Sequence, residues 1–469
     1  MLIDRPLYQS VPESRIPQSV VHGSMEKLKP LRGMRDFLPP EMIRRMWVIE
    51  KIREVFESYG FDPLETPAIE RWSVLTRKCG EEVMNQIFKF KDKGGRDVGL
   101  RFDLTVPLAR IVAYRRELPR PFKRYCISRV WRYEEPQAGR YREFWQADVD
   151  IIGSARPEAD VEVIAVAIDA LKNVGMSRFV VRLNNRKILE AAAICAGVPK
   201  EKILDAFRSL DKLDKIGEDG VRDEMASRGI PESAIDNIME FIKVDGETNE
   251  EVLRNVEGLI GGIDIGREGI SELISILKIS EYYKIDEYLR VDLSLVRGLD
   301  YYTGPVFEIA VKDVTKGVKV GSVAGGGRYD TLIELYGGEP TPAVGISIGV
   351  ERVIEVLNER GQLDFLPDTL VRVFVIPVND KVRADAIRIA QMLRSASIPT
   401  DIELMGRKLG RALEYADKKG IPLAVIVGPQ ELKEGHVVVR NMKTRAQEKV
   451  KIAELVDYVK SQIKTRVFT

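Results

Sequence analysis

The chain has 469 residues, 44% hydrophobic and 31% charged, enough for roughly three domains of ~150 residues and too apolar for a mainly disordered protein. No apolar run reaches the ~18 residues of a membrane span, since even Val161 to Leu171 is interrupted by Glu162 and Asp169. Cys79, Cys126 and Cys195 lie far apart without a CxxC pair, so neither a disulfide framework nor a cysteine zinc site is indicated, and a reducing cytosol fits. His22 and His436 are the only histidines. That scarcity removes most routes to histidine acid/base chemistry or histidine-ligated metal, leaving carboxylates, arginines, hydroxyls and bound ions.

The net charge of +1 hides a partition. Residues 371–469 hold 19 Lys and Arg against 11 Asp and Glu, a net +8, whereas residues 187–290 hold 14 against 23, a net −9.

In chain order, residues 1–24 lack periodicity and a signal-peptide apolar region, and Gly23-Ser24-Met25 reads as a cloning scar ahead of a natural start. From Pro39 to Gly60 the residues Met42, Ile43, Met46, Trp47, Ile49, Ile52, Val55 and Phe56 follow helical spacing. Residues 61–150 read as short strands and turns, including Lys123 to Tyr133 and Arg142 to Ile152 around the polar loop Glu134 to Tyr141. Acidic helices with Gly/Pro breaks occupy 187–290, a candidate inserted domain. Strands are expected at Val291 to Leu295, Val306 to Val311 and Val318 to Val323, then a Gly-rich turn and a helix after Gly349. Beyond Leu366-Pro367, strand and helix alternate: Val371 to Val378, Val382 to Ala396, Asp401 to Leu404, Lys408 to Lys419 and Leu423 to Val427. That pattern predicts a small parallel-type α/β unit.

Four groups of residues can carry chemistry. In Arg129 to Gln146, Arg132, Arg140 and Arg142 flank a Pro/Gly loop between two strands, so their guanidinium forks can converge on a phosphate while Tyr141 and Phe144 offer flat faces to a base. A solvated charged hairpin is the bland alternative. In Leu295-Val-Arg-Gly-Leu-Asp-Tyr-Tyr302, Arg297 stands in an apolar setting and needs an anionic partner, for which Asp300 is the local candidate. The run Ala324-Gly-Gly-Gly-Arg-Tyr-Asp330 allows close backbone approach to a ligand, or is simply a turn. In Ala343 to Arg352 the arginine opens a helix, whose amides also favour anions. Phosphate-loop, GxGxxG and HExxH motifs are missing, so a nucleotide site built from scattered arginines is what remains.

On these residues the sequence resembles the class II aminoacyl-tRNA synthetases, and the histidyl-tRNA synthetase family in particular. Tyr59 to Pro67 with its preceding helix resembles motif 1, residues 129–152 motif 2 and residues 343–353 motif 3, while the Leu295 to Tyr302 and Ala324 to Asp330 segments resemble the two histidine-specific signatures. The resemblance implies an α+β catalytic domain, an antiparallel sheet flanked by helices, with an inserted helical domain and a C-terminal α/β anticodon-binding domain. The implied division is 1–24 extension, 25–186 first catalytic part, 187–290 insertion, 291–366 second catalytic part and 367–469 anticodon unit.

It further implies that Arg132 bridges the histidine carboxylate and the ATP α-phosphate, that Arg140 and Arg352 bind outer phosphates, and that Phe144, beside Tyr141, stacks on adenine. Arg297 would reach the α-phosphate from the opposite side; Asp103, Thr105 and Gln146 would hold the substrate ammonium; Asp150, Tyr301, Tyr302 and Tyr329 would line the imidazole. Mg²⁺ would arrive with ATP, held mainly by its phosphates, and the partners would be L-histidine, tRNA(His) and, through motif 1, a second copy of the chain in the cytoplasm. Such a site activates histidine by in-line attack on phosphorus, which needs positioning and charge neutralisation rather than a protein histidine. A substrate phosphate oxygen is the expected base for transfer. Asp103 and the extra glycine point to the archaeal or eukaryotic branch, while Glu135 and Trp145 depart from residues often basic or histidine in relatives. A histidine-sensing paralogue or another class II synthetase are the rivals; the three arginines oppose the first, the two signatures the second.

Overall fold

The structure, a computed structural model, describes residues 28–77, 80–136, 140–297, 301–311 and 321–463. Among these residues sixteen strands form three sheets. In chain order they are β1 (Asp62–Pro63), β2 (Ile69–Arg71), β3 (Lys89–Lys91), β4 (Asp97–Leu100), β5 (Phe122–Trp131), β6 (Glu143–Ile152), β7 (Phe179–Asn185), β8 (Leu289–Val291), β9 (Pro305–Val311), β10 (Ala324–Arg328), β11 (Ala343–Gly349), β12 (Val373–Pro377), β13 (Thr400–Ile402), β14 (Leu423–Val427), β15 (His436–Asn441) and β16 (Gln447–Lys451). The large sheet runs β1-β5-β6-β11-β10-β9-β7-β8. Its six central strands are antiparallel, and a parallel pair closes each edge, β1 on β5 and β7 on β8. The strands β2, β4 and β3 form a small antiparallel sheet.

The helix Pro39–Ser58 forms as its spacing predicts and buries Ile43, Val48, Ile52 and Phe56. It packs on the helix Pro157–Asn173, whose apolar residues from Val161 to Leu171 are almost wholly buried. Between β7 and β8 the chain runs through six helices, from Arg186–Cys195 to Asp264–Tyr283. They do not make a separate core: Ile188, Leu253, Ile270 and Leu273 lie in the same buried cluster as Val181, Phe307 and Ile346 of the sheet.

Three local expectations change. The glycine run 325–327 is not a turn; it is most of β10, in the middle of the sheet, because neighbouring groups come too close for side chains there. A helix, Thr105–Tyr114, stands where only strands and turns are expected, its apolar face burying Val106, Leu108, Ala109 and Val112. The strand expected from Val291 ends at that residue; of the one expected over 318–323, residues 318–320 lie outside the described residues and 321–323 are not strand, which begins only at Ala324.

The C-terminal sheet, β13-β12-β14-β15-β16, is parallel through its first three strands and antiparallel through the last two. The purely parallel expectation misses β15 and β16 because β16 is a polar edge strand with Val450 as its only buried residue. Among the described residues no helix is long and apolar enough to cross a membrane.

Candidate active site

The alternation of strand β6 puts Phe144, Gln146, Asp148 and Asp150 on one face. Cross-strand pairing extends that face into two rows. One runs Cys126, Asp148, Ser347, Gly325, Glu308, Arg182 across β5, β6, β11, β10, β9 and β7; the other runs Arg124, Asp150, Gly345, Gly327, Val306, Asn184. Each row is polar at its ends and glycine in the middle, which leaves a furrow. Arg297 and Tyr302 lie in it: a Cβ on Gly325 would stand 2.6 Å from Arg297 Nη1, and one on Gly327 would stand 2.7 Å from Tyr302 Cδ1.

One end of the furrow is acidic and buried. Asp103 caps the helix Thr105–Tyr114 by accepting the Val106 amide at 3.0 Å through Oδ1, while its Oδ2 is buried with no hydrogen-bond partner. Burial pushes this carboxyl up to about 6, against the pull of that amide and of Arg132 and Arg124. Gln146 donates to Ser347 Oγ at 2.6 Å, which leaves its buried Oε1 without a partner. Two orphan acceptors in a dry pocket are costly alone and suit a cationic donor such as an ammonium group.

Asp150 is already engaged: Arg124 Nη2 lies 2.7 Å from its Oδ2 and the Tyr329 hydroxyl donates to its Oδ1. It therefore meets a substrate through Tyr329 as much as by itself. Tyr301 packs edge to face on Tyr329 at 5.8 Å and tilted against Tyr302 at 4.9 Å, and burial keeps the hydroxyls of Tyr301 and Tyr329 well above their ordinary range and so neutral. Thr105 lies beside the Tyr301 hydroxyl.

The other end is cationic. Arg132 donates from Nε to the Phe102 carbonyl at 2.9 Å and lies 5.3 Å from the centre of the Phe144 ring. Arg352, in the first turn of the helix Val350–Glu359, donates to the Ser322 carbonyl. Burial, then repulsion from Arg140 and Arg132, lowers the pKa of Arg352, so the three arginines sit near enough to feel one another's charge. Among the described residues no carboxylate forms an ion pair with any of them.

Two expectations from the loop are corrected. Arg142 does not join the cluster; it donates to the Glu134 carbonyl at 3.0 Å and the Arg32 carbonyl at 3.3 Å and lies over the Tyr133 ring, so it ties the loop together. The Tyr141 hydroxyl is bound to Glu355 Oε1 at 2.9 Å and its ring is covered by Arg35. Arg297 pairs with Glu308 at 3.0 Å; its expected partner Asp300 lies outside the described residues.

Sequence reasoning missed Asp148, Arg124, Ser347 and Glu308. Asp148 is buried with an unpartnered Oδ1, and burial pushes its carboxyl up to about 7, against Arg124. The two-residue period of Phe144, Gln146, Asp148 and Asp150 was its available signal.

An antiparallel sheet whose face carries a furrow between buried acceptors and three neighbouring arginines, followed by an α/β unit, defines a class II aminoacyl-tRNA synthetase. Residues 33–353 match the family model described as histidyl-tRNA synthetase, and residues 372–462 match that of an anticodon binding domain. The histidine–tRNA ligase of Pyrococcus furiosus is 42% identical over 93% of this chain and 99% of its own, and that of Korarchaeum cryptofilum 45% over 91% and 97%. The crystal structure of histidyl-tRNA synthetase from Nostoc superimposes with a TM-score of 0.78 at 32% identity, covering 94% of this chain and all of that one. The chain belongs to the histidyl-tRNA synthetase family. Its activity is that of a histidine–tRNA ligase.

Proposed function

We propose that the furrow activates L-histidine with ATP and hands the product to tRNA(His). The observation that carries this reading is the mutual repulsion of Arg132, Arg140 and Arg352, which form no ion pair with a carboxylate among the described residues, together with the unpartnered buried acceptors on Asp103 and Gln146. Asp103, Thr105 and Gln146 hold the ammonium group. Asp150, presented through Tyr329 and Arg124, and the hydroxyls of Tyr301 and Tyr302 line the imidazole; an apolar side chain there would leave buried polar groups unpaired, a discrimination that can reach about 10⁴–10⁵.

The histidine carboxylate attacks the α-phosphorus, a P–O bond forms, and pyrophosphate departs. Arg132 and Arg297 neutralise the phosphate oxygens from opposite sides, and Arg140 and Arg352 the leaving group. Phe144 stacks on adenine; Tyr141, pinned by Glu355, borders that position. Mg²⁺ would arrive with ATP, held mainly by its phosphates, where it would supply charge neutralisation. In the transfer step a terminal ribose hydroxyl of tRNA attacks the adenylate carbonyl and AMP leaves, its phosphate oxygen taking the proton.

In this reading residues 25–186 and 291–366 form the catalytic body, 187–290 an inserted helical unit and 367–469 an anticodon unit whose net +8 suits RNA phosphates. Residues 1–24 stand apart as an extension. A homodimer through motif 1, working in the cytoplasm, completes the proposal. Exchange of labelled pyrophosphate into ATP tests it: histidine alone among the amino acids should support exchange, and Arg132→Ala should abolish it. Exchange with another amino acid, or an unaffected variant, would overturn it.

A further inference from the structure

Among the described residues the one carboxylate paired with Arg297 is Glu308. The arginine lies flat over Gly325, its Nε buried without a partner, with Nη1 3.0 Å from Glu308 Oε2. The other oxygen of the same carboxylate, Glu308 Oε1, lies 3.4 Å from Nη1 of Arg182, the next residue across the sheet row. Arg182 is in turn fixed by three further groups: Asp292 Oδ2 at 2.6 Å from Nε, Ser294 Oγ at 3.0 Å from Nη2, and Asp214 Oδ2 at 3.6 Å from Nη1. Ser294 is itself bound to Asp292 Oδ1 at 2.6 Å. Asp214 opens the helix Leu213–Ser227 in the acidic segment and is largely exposed.

Charges therefore alternate from the surface to the furrow: Asp214, Arg182, Glu308, Arg297. A carboxylate committed wholly to Arg297 would compete with phosphate for its guanidinium. Sharing Glu308 with Arg182 keeps that carboxylate in place while weakening its claim on Arg297. Burial acts against the Arg297 charge, and Tyr302, Glu308 and Asp211 support it; Asp211 also comes from the acidic segment.

We infer that Arg182 and Glu308 are positioning residues for Arg297, and that Asp214 of the acidic helical segment is the outer end of the chain that sets its pose. The inference rests on the reading of Arg297 as an α-phosphate ligand. It also assigns part of the net −9 a task other than meeting RNA: it supplies anions to cations on the catalytic face.

The test is histidine-dependent pyrophosphate exchange by the full chain carrying Glu308→Gln, Arg182→Lys or Asp214→Asn, each alone and combined with Arg297→Ala. A guanidinium displaced by an ångström loses rate, so Glu308→Gln and Arg182→Lys should each lower kcat on the order of 10- to 100-fold with KM for ATP and histidine within about threefold. Asp214→Asn, an exposed change that should leave folding intact, should lower kcat about threefold. In the Arg297→Ala background all three should have no further effect, because they act through the missing group. Equal losses in both backgrounds would mark a packing role and overturn the inference, as would unchanged kcat in the three single variants. Full activity in Arg297→Ala itself would instead remove the reading of Arg297, and the inference with it.

Discussion

Arg45, on the helix Pro39–Ser58, and Glu351, on the helix that carries Arg352, form an ion pair of 2.5 Å with side chains only 2% and 3% exposed. Glu351 Oε2 also accepts the Trp145 amide of β6 at 2.9 Å, and Arg45 stacks over Phe37. One carboxylate thus joins the elements resembling all three class II motifs.

Removing either partner leaves a buried charge, so Arg45→Ala should destabilise the chain by about 3–5 kcal/mol. Glu351→Gln, which leaves the Arg45 charge buried and unpaired, should cost a comparable amount and also raise KM for ATP, because the first turn holding Arg352 loses its anchor. Chemical denaturation and exchange kinetics measure the two effects; an unchanged KM for ATP would separate Glu351 from the phosphate site.

The glycines of β10 differ in what a side chain would strike. At Gly325 a Cβ meets the mobile end of Arg297, whereas at Gly326 it meets the backbone of Gly345 and Ile346. Gly325→Ala should therefore fold with near-native Tm and lose on the order of 10²-fold in adenylate formation. Gly326→Ala should lose about 1–3 kcal/mol or more of stability. Equal melting temperatures for the two variants would refute this distinction.

Three neighbouring guanidinium groups repel one another until an anion arrives. Arg352→Gln should raise the Tm of the ligand-free protein and weaken ATP binding about tenfold or more, a trade of function for stability. Calorimetric titration with ATP, beside melting curves, tests both signs at once.

Asp148 supplies a pH signature. Its carboxyl is raised by burial to about 7, so the folded state binds its proton more tightly than the unfolded chain does. The stability tied to that proton is complete below the unfolded carboxylate pKa and is lost as pH rises through about 7. Asp148→Asn should thus stabilise the protein at pH 8 and make little difference at pH 4. Melting curves of both proteins across that range decide it, and a gain independent of pH would exclude titration of Asp148 as the cause.

The sequence by itself determined the chemistry's vocabulary. Histidine scarcity, arginines at 132, 140, 297 and 352, the long first helix and the alternating C-terminal unit are all local patterns, so residue types and spacing reveal them. Arg140 and Arg142 are indistinguishable at that level; only the fold turns one toward Arg352 and the other onto Glu134 and Tyr133. The glycine run likewise reads as a turn until its neighbours are known, because its function is to be crowded by Arg297, Tyr302 and Gly345. Glu308 stayed hidden on an otherwise apolar strand and Asp148 between two residues already assigned, Gln146 and Asp150, and their meaning comes from partners more than ten residues away. Tertiary structure decided which charges are paired, since burial and cross-strand register fix that, and no single segment contains them.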